Sequence, residues 1–498
     1  MFVLYLTFFS FRIKITDLVK MNPSNTSIYT VVIIGNGPSG ISLSHLLSGN
    51  LPYYKGQNIG SNHSTSTLLH EKCQESSEFS IVEQDLQYLS EGLEGRSQNP
   101  VALLFDHLNQ PQADIGMHEE SLLTWRLCSD KHVDHLVIGQ GLPGGSWHSM
   151  EGSQLTVSLN NWLDLPGWSF QEWLVEHRKE IKQTSSCCPL ATKGVVGEGN
   201  MYDRASTEHI AKYYERYVTH QNLEKNFVDN VKIKSIKQKN GIWEVSGYNK
   251  VKSKFACKKP FCVYAQNVVL ASGLSKPKKL GINGEGLPFV HHKVRKVFQI
   301  TKSKGKLQNK FKNPVLIVGD GLSAADAVLE LVANDVPVIH VLKHDLNDEE
   351  LVLNKMPTQV YHDYAKVKDM MTKPVLAADG SCLYHAYFKT ILTSISKHGE
   401  CKLKTPDEKT MTIFASAVFI LIGSKPDLSF LQNTPPLGID PSKDVDCRHN
   451  PMNINPYTYE CRKVKNLFAL GPLVGDNFVR FGIGGSLGIA SHLFKLMK

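Results

Sequence analysis

Gly35, Gly37 and Gly40 follow the apolar run Val31-Val-Ile-Ile34, and Gly319, Gly321 and Ala324 follow Val315-Leu-Ile-Val318 with the same spacing. A short β-branched strand, a tight glycine turn and a helix, in that order, bring backbone N–H groups and a helix N-terminus against a pyrophosphate. The stretch after each turn carries a helical apolar pattern: Ile41, Leu43, Leu46 and Leu47 after the first, Ala324, Ala325, Val328, Leu329 and Val332 after the second. The plainer reading is two ordinary strand-to-helix turns, with glycine supplying positive φ and close packing. Two such turns with matching flanks favour two dinucleotide sites, and the pairing they suggest is a flavin with a nicotinamide.

The elements that must position these turns have ample chain to form. With 498 residues, 41% hydrophobic and 20% charged, the sequence can bury a large core and should divide into two or three domains. Ten cysteines without a regular framework point to a reducing, cytoplasmic setting. Cys257 and Cys262 have the spacing of a redox pair, but they stand far from the first glycine turn and read as structural, as do Cys187 and Cys188. The run Phe2–Phe9 precedes its positive charges, Arg12 and Lys14, and is too short to span a bilayer. It reads as part of an extension over residues 1–27, with Met21 as an alternative start. The formal net charge is +8, concentrated between Lys232 and Lys312. No nucleic-acid module accompanies it, so a basic face that steers an anionic cofactor is expected instead.

Residues 51–80 are polar and irregular and read as a surface insertion. Ile210, Tyr213, Tyr214, Tyr217 and Val218 recur at helical spacing, and Val231–Ile236 and Trp243–Val245 flank Asn240-Gly241 as a hairpin. Two further strand-to-glycine crossings, Asn267–Gly273 and Ala417–Pro426, bracket the second turn. The fold class expected is α/β, with two nested Rossmann-like domains: a first domain over 28–280 and 411–498, and a second inserted at 281–410. Leu487, Ala490, Leu493, Phe494 and Met497 should form one face of a terminal helix, with Gly484 and Gly485 where a flavin could approach the backbone.

The glycine turn at Gly35, the element Gly144-Gly-Ser-Trp147, the crossing Ala271-Ser-Gly273, the turn at Gly319 and the pair Gly475-Asp476 occur in the order seen in flavin-containing monooxygenases, which the chain resembles. Tyr88-Leu-Ser-Glu-Gly-Leu-Glu-Gly-Arg-Ser97, Gly319-Asp-Gly-Leu-Ser-Ala-Ala-Asp326 and Gly475-Asp-Asn-Phe-Val-Arg-Phe481 are similar to phrases of the oxidative stress-induced growth inhibitor family. The likeness runs from residue 28 onward. It implies an FAD- and NADPH-dependent monooxygenase-like protein linked to growth control under oxidative stress. Gly35, Gly37 and Gly40 then match the FAD pyrophosphate turn, Gly144, Gly145 and Trp147 the flavin-side loop, and Asp476 the acid that bonds the ribityl chain.

Three departures stand out. The strand Leu136–Gln140 ends in Gly139 and Gln140 where an acid should accept from the adenosine ribose, leaving Glu83 as a substitute from another run. The crossing reads Ala-Ser-Gly in place of Ala-Thr-Gly. The histidine stretch of monooxygenases is reduced to Phe289-Val-His-His292. In the second site, Gly319, Gly321 and Ala324 form the turn, and Lys343, with His344 beside it, suits the 2′-phosphate of NADPH. His118, His132, His135, His291, His292 and His344 show no metal-ligand spacing, so no metal is expected. The readings left open are a monooxygenase that uses dioxygen on a small-molecule substrate and a regulatory flavin-binding protein. A disulfide reductase is disfavoured by the placement of Cys257 and Cys262.

Overall fold

The computed structural model describes residues 28–56, 64–116, 119–177, 204–250, 258–302, 311–373, 375–377 and 379–497. The extension over 1–27, His118, Cys187, Cys188 and Cys257 lie outside the described residues.

Parallel strands buried on both faces need continuous apolar runs, and the sequence supplies them. The chain begins with β1 (Ile28–Ile34), α1 (Pro38–Leu47), β2 (Asn50–Tyr54), α2 (Ser64–Gln74), α3 (Pro100–Asn109), β3 (Leu123–Leu127) and β4 (His135–Ile138). After α4 (Thr207–His220) come β5 (Phe227–Val228), β6 (Val231–Lys239), β7 (Ile242–Asn249) and β8 (Pro260–Leu270). A second set follows: β9 (Val290–His291), β10 (Val315–Val318), α5 (Leu322–Val332), β11 (Val338–Val341), β12 (Cys382–Tyr387), β13 (Ile391–Ile395), β14 (Glu400–Lys404), β15 (Thr410–Phe414) and β16 (Ala417–Ile420). β17 (Leu467–Ala469) and α6 (Gly485–Leu496) close the chain.

Contacts divide these elements into one unit running to Ser275 and resuming at Pro426, and a second unit, Lys276–Lys425, inserted in it. The first unit's sheet has the order β5-β4-β1-β8-β7-β6, with β17 beside β8. β4, β1, β8 and β17 run parallel, whereas β6, β7 and β8 form an antiparallel meander. Asn240 and Gly241, at φ 51° and 80°, make the two-residue turn between β6 and β7 that their types demand. The second unit's sheet runs β9-β16-β10-β11-β12, with Val375–Leu376 at its edge, and β13–β15 form a separate antiparallel sheet.

Four expectations are corrected. β16 belongs to the second unit, not to a domain resuming at residue 411, because it lies between β9 and β10 and completes their buried sheet. Residues 51–80 are not simply a surface insertion: β2 pairs with β3, and Leu51, Leu69, Cys73 and Ser80 are buried, with the Ser80 hydroxyl donating to the Pro52 carbonyl at 2.8 Å. On α5 the buried face is Ala324, Ala325, Ala327, Val328 and Leu331, so Leu329 and Val332 lie at its margin. Met497 stands past the end of α6 and is exposed, while Leu487, Ala490, Leu493 and Phe494 are buried.

Candidate dinucleotide sites

In the first unit the chain leaves β1 at Gly35, whose φ of 125° excludes most side chains. The Gly35 N–H donates to the Ile138 carbonyl at 2.9 Å, and the Ala271 N–H donates to the Ile34 carbonyl at 2.9 Å. A Cβ on Gly35 would stand 2.1 Å from the Ala271 carbonyl oxygen, and one on Gly40 would stand 2.0 Å from the Gly35 carbonyl oxygen. Gly37 is different, since a Cβ there would meet nothing within 4 Å. It is the N-cap of α1 and no side chain caps that helix. The start of α1 at Gly37 therefore adjoins open space, the form of an anion cradle.

The Gly144–Trp147 loop is brought to this turn. Gly144 donates its N–H to the Asn36 carbonyl at 2.7 Å, and a Cβ on Gly145 would stand 3.2 Å from the Gly37 Cα. The Trp147 ring meets Tyr214 edge-on at 5.8 Å. From the C-terminal segment, Cβ positions at Gly471 and Gly482 would lie 2.8 Å and 3.2 Å from the Ser39 hydroxyl.

The second unit repeats the frame. Gly319 has φ 142°, its N–H donates to the Val341 carbonyl at 3.1 Å, and Leu421 donates to the Val318 carbonyl at 2.8 Å. A Cβ on Gly319 would stand 2.4 Å from the Leu421 carbonyl oxygen, whereas one on Gly321, the N-cap of α5, would meet nothing within 4 Å. No side chain caps α5 either, and Ala324 is fully buried in its first turn. His340, 1% exposed on β11, faces the Gly319 carbonyl with Nε2 at 2.8 Å and the Tyr384 hydroxyl with Nδ1 at 3.0 Å. Burial lowers its pKa to about 4 and keeps it neutral.

Asp320, the residue inside this turn, accepts from the Lys343 N–H at 2.9 Å, the His344 N–H at 3.2 Å and the His344 ring nitrogen Nδ1. It thereby fixes the segment that follows β11. The Lys343 side chain is exposed and its ammonium has no partner among the described residues.

Asp476 is 2% exposed. Its carboxylate accepts from the Ser97 hydroxyl at 2.6 Å, the Asn99 amide at 3.0 Å and the Tyr459 hydroxyl at 3.4 Å. Burial pushes its pKa up to about 7 against the pull of those donors. Ser97 also lines a cavity of about 890 Å³ with Tyr88, Glu91, Leu93, Glu94 and Tyr457.

Two expected roles are not supported. Gly484 and Gly485 serve helix packing, because Cβ atoms there would strike the Ala102 Cα at 2.7 Å and the Tyr459 ring at 2.4 Å. Glu83 pairs with Lys131 at 3.0 Å, and Lys131 precedes β4, so this acid sits where β4 begins and the glycine turn sits where β4 ends. Asn36, Asp320 and His340 went unread in the sequence. The signal was the polar residue between the first two glycines of each turn. Among the described residues, no group of three acidic, histidine or cysteine side chains could hold a metal, and no helix is long and apolar enough to cross a membrane.

Paired parallel sheets, each with an uncapped helix behind a glycine turn, define a flavoprotein fold with two dinucleotide-binding domains. Residues 196–471 match the family model described as pyridine nucleotide-disulphide oxidoreductase. The chain is 42% identical to oxidative stress-induced growth inhibitor 2 from Homo sapiens, over 94% of each chain. It belongs to the oxidative stress-induced growth inhibitor family. Among solved structures, bacillithiol disulfide reductase from Bacillus cereus is 15% identical, covering 94% of this chain and 100% of its own, with a TM-score of 0.56. L-lysine 6-monooxygenase from Pseudomonas syringae is likewise 15% identical over 94% and 100%, with a TM-score of 0.54. These two likenesses concern the fold alone.

Proposed function

We propose that this member of an oxidoreductase family is an FAD- and NADPH-dependent monooxygenase that uses dioxygen on a small-molecule substrate, in a response that ties oxidative stress to growth. The observation that carries the reading is the duplicated turn, one copy followed by a lysine that is exposed and unpaired among the described residues. FAD is assigned to the first unit and NADPH to the second. The nicotinamide supplies a hydride and the reduced flavin supplies reactivity toward dioxygen.

This chain's residues do the holding. Gly37 leaves the pyrophosphate room at the start of α1, Gly35 and Gly40 set the turn, and the Gly144–Trp147 loop covers it. Asp476, buried and fixed by three donors, is the acceptor assigned to the ribityl hydroxyls. Gly321 leaves room at the start of α5, Gly319 and Ala324 allow close approach, and Lys343, on a segment fixed by Asp320, meets the 2′-phosphate with His344 beside it. The cavity beside Ser97 is of a size for a small molecule.

One observation favours the second reading, a regulatory flavin-binding protein. His292, in the reduced histidine stretch, faces the Glu285 carboxylate at 2.9 Å, and that carboxylate also accepts from the Leu280 and Gly281 N–H groups. The histidine is thus engaged in local structure. Turnover of the FAD-loaded chain with NADPH and isotopically labelled dioxygen separates the two. Label found in a small molecule from a cell extract supports the monooxygenase, and folded, FAD-loaded protein that NADPH cannot reduce supports the regulatory role.

A further inference from the structure

The fingerprint of a dinucleotide turn needs a carboxylate where the second strand ends, to accept from the adenosine ribose. β4 has none. Its last residues give way to Gly139, and a Cβ there would stand 1.9 Å from the side-chain nitrogen of Asn36. The place an acid would take is filled by the amide of the first glycine turn.

That amide points onward. Asn36 is 2% exposed, and its Nδ2 donates to the Gly141 carbonyl at 2.8 Å and to the Asp229 carboxylate at 3.0 Å. Asp229 follows β5, which runs parallel beside β4 with Ile138 opposite Val228, so Asp229 is level with Gly139. The Gly139 N–H donates to the Val228 carbonyl at 2.9 Å and the Val231 N–H donates back to the Gly139 carbonyl at 2.9 Å, which fixes the level of the two strand ends. A carboxylate therefore stands at the correct end of the sheet, one strand further out, tied to the glycine turn through one amide.

We infer that Asp229, oriented by Asn36, is the acceptor for the adenosine ribose hydroxyls of a dinucleotide on the first turn, in place of the acid that β4 lacks. The inference rests on the reading of that turn as the FAD site.

Flavin-free protein titrated with FAD and with FMN tests it, because FMN carries the flavin, ribityl chain and one phosphate but no adenosine. Asp229→Asn keeps an acceptor for Asn36 and removes the charge. It should weaken FAD by about tenfold or more, the loss of a charge-assisted hydrogen bond, and leave FMN unchanged. The unmodified chain should also bind FAD more tightly than its 2′-deoxyadenosine analogue, a readout that does not depend on the variant folding. Equal losses for FAD and FMN, no loss at all, or equal binding of FAD and the deoxy analogue overturns the inference. Protein that takes up neither flavin overturns the FAD reading itself, and the inference with it.

Discussion

The two glycine turns share a backbone and differ in the polarity of the residue between their glycines. Gly35 and Gly319 each donate to the end of the neighbouring parallel strand, at 2.9 Å and 3.1 Å, and each presses against the carbonyl of a crossing residue, Ala271 or Leu421. Asn36 then reaches its neighbouring strand end as a donor, toward a carbonyl and a carboxylate. Asp320 reaches its own as an acceptor, toward two N–H groups and a histidine. One strand end is left rich in acceptors and the other in donors and positive charge. The frame follows from the fold, and on the proposed reading the choice of nucleotide would follow from that polarity: ribose hydroxyls at the first turn, a phosphorylated ribose at the second.

The largest expected effects come from breaking the shared frame. Gly35→Ala and Gly319→Ala should each cost about 3 kcal/mol or more, because positive-φ strain adds to a clash with a backbone carbonyl. Urea denaturation measures this. Gly37→Val and Gly321→Val should leave the melting curve of the free protein nearly unmoved, since their side chains enter open space, yet abolish flavin and nicotinamide binding respectively. Retained flavin in Gly37→Val would remove the first turn from the account.

Next comes the polarity itself. Lys343→Ala should weaken NADP⁺ by about tenfold to a hundredfold, the worth of a charge-assisted contact, and leave NAD⁺ nearly untouched in calorimetric titrations. Asp320→Asn should reduce the same preference by a smaller factor by freeing the segment that carries Lys343. An unchanged preference in Lys343→Ala would place the phosphate contact elsewhere.

A pH effect of similar size is confined to the first unit. Asp476 has its pKa raised from the ordinary carboxylate range to about 7, so the folded state favours its protonated form. The stability it contributes is full below about pH 4 and is lost progressively as the pH rises from about 4 to about 7, a fall of about 2–4 kcal/mol that Asp476→Asn should flatten. Urea midpoints across that range would show it, and an unchanged slope in the variant would assign the titration to another group. Smallest of all, Glu83→Gln should cost about 1 kcal/mol as a partly buried ion pair is lost, with FAD affinity unmoved. A large loss of FAD would restore Glu83 as the ribose acid in place of Asp229.

What the sequence made legible follows the same division. Strands, glycine turns and the α1 and α5 helices could be read because backbone sterics and burial restrict residue type: only glycine readily adopts the φ of Gly35 and Gly319, and apolar residues suit the buried Val31–Ile34 and β10. The Asn240-Gly241 hairpin was legible for the same reason. Contacts between side chains distant in sequence were not. Nothing in the string ties Asn36 to Asp229 or Asp476 to Ser97 and Asn99, since these pairs meet only when parallel strands and returning segments set them level. The boundary at β16 was misplaced because a strand's own residues do not say which of two similar sheets it joins. Gly484 and Gly485 were misread because a glycine that admits a ligand and one that admits a neighbouring helix look alike in sequence.

Whether a nicotinamide reduces the bound flavin, and which one, is read by anaerobic titration of the purified, FAD-loaded chain with NADPH and NADH, followed at the flavin absorbance band. One FAD per chain is expected, bleached by NADPH at far lower concentration than by NADH, with the preference erased in Lys343→Ala. Folded chain that carries FAD and is bleached by neither nucleotide would rule out a nicotinamide-reduced flavin.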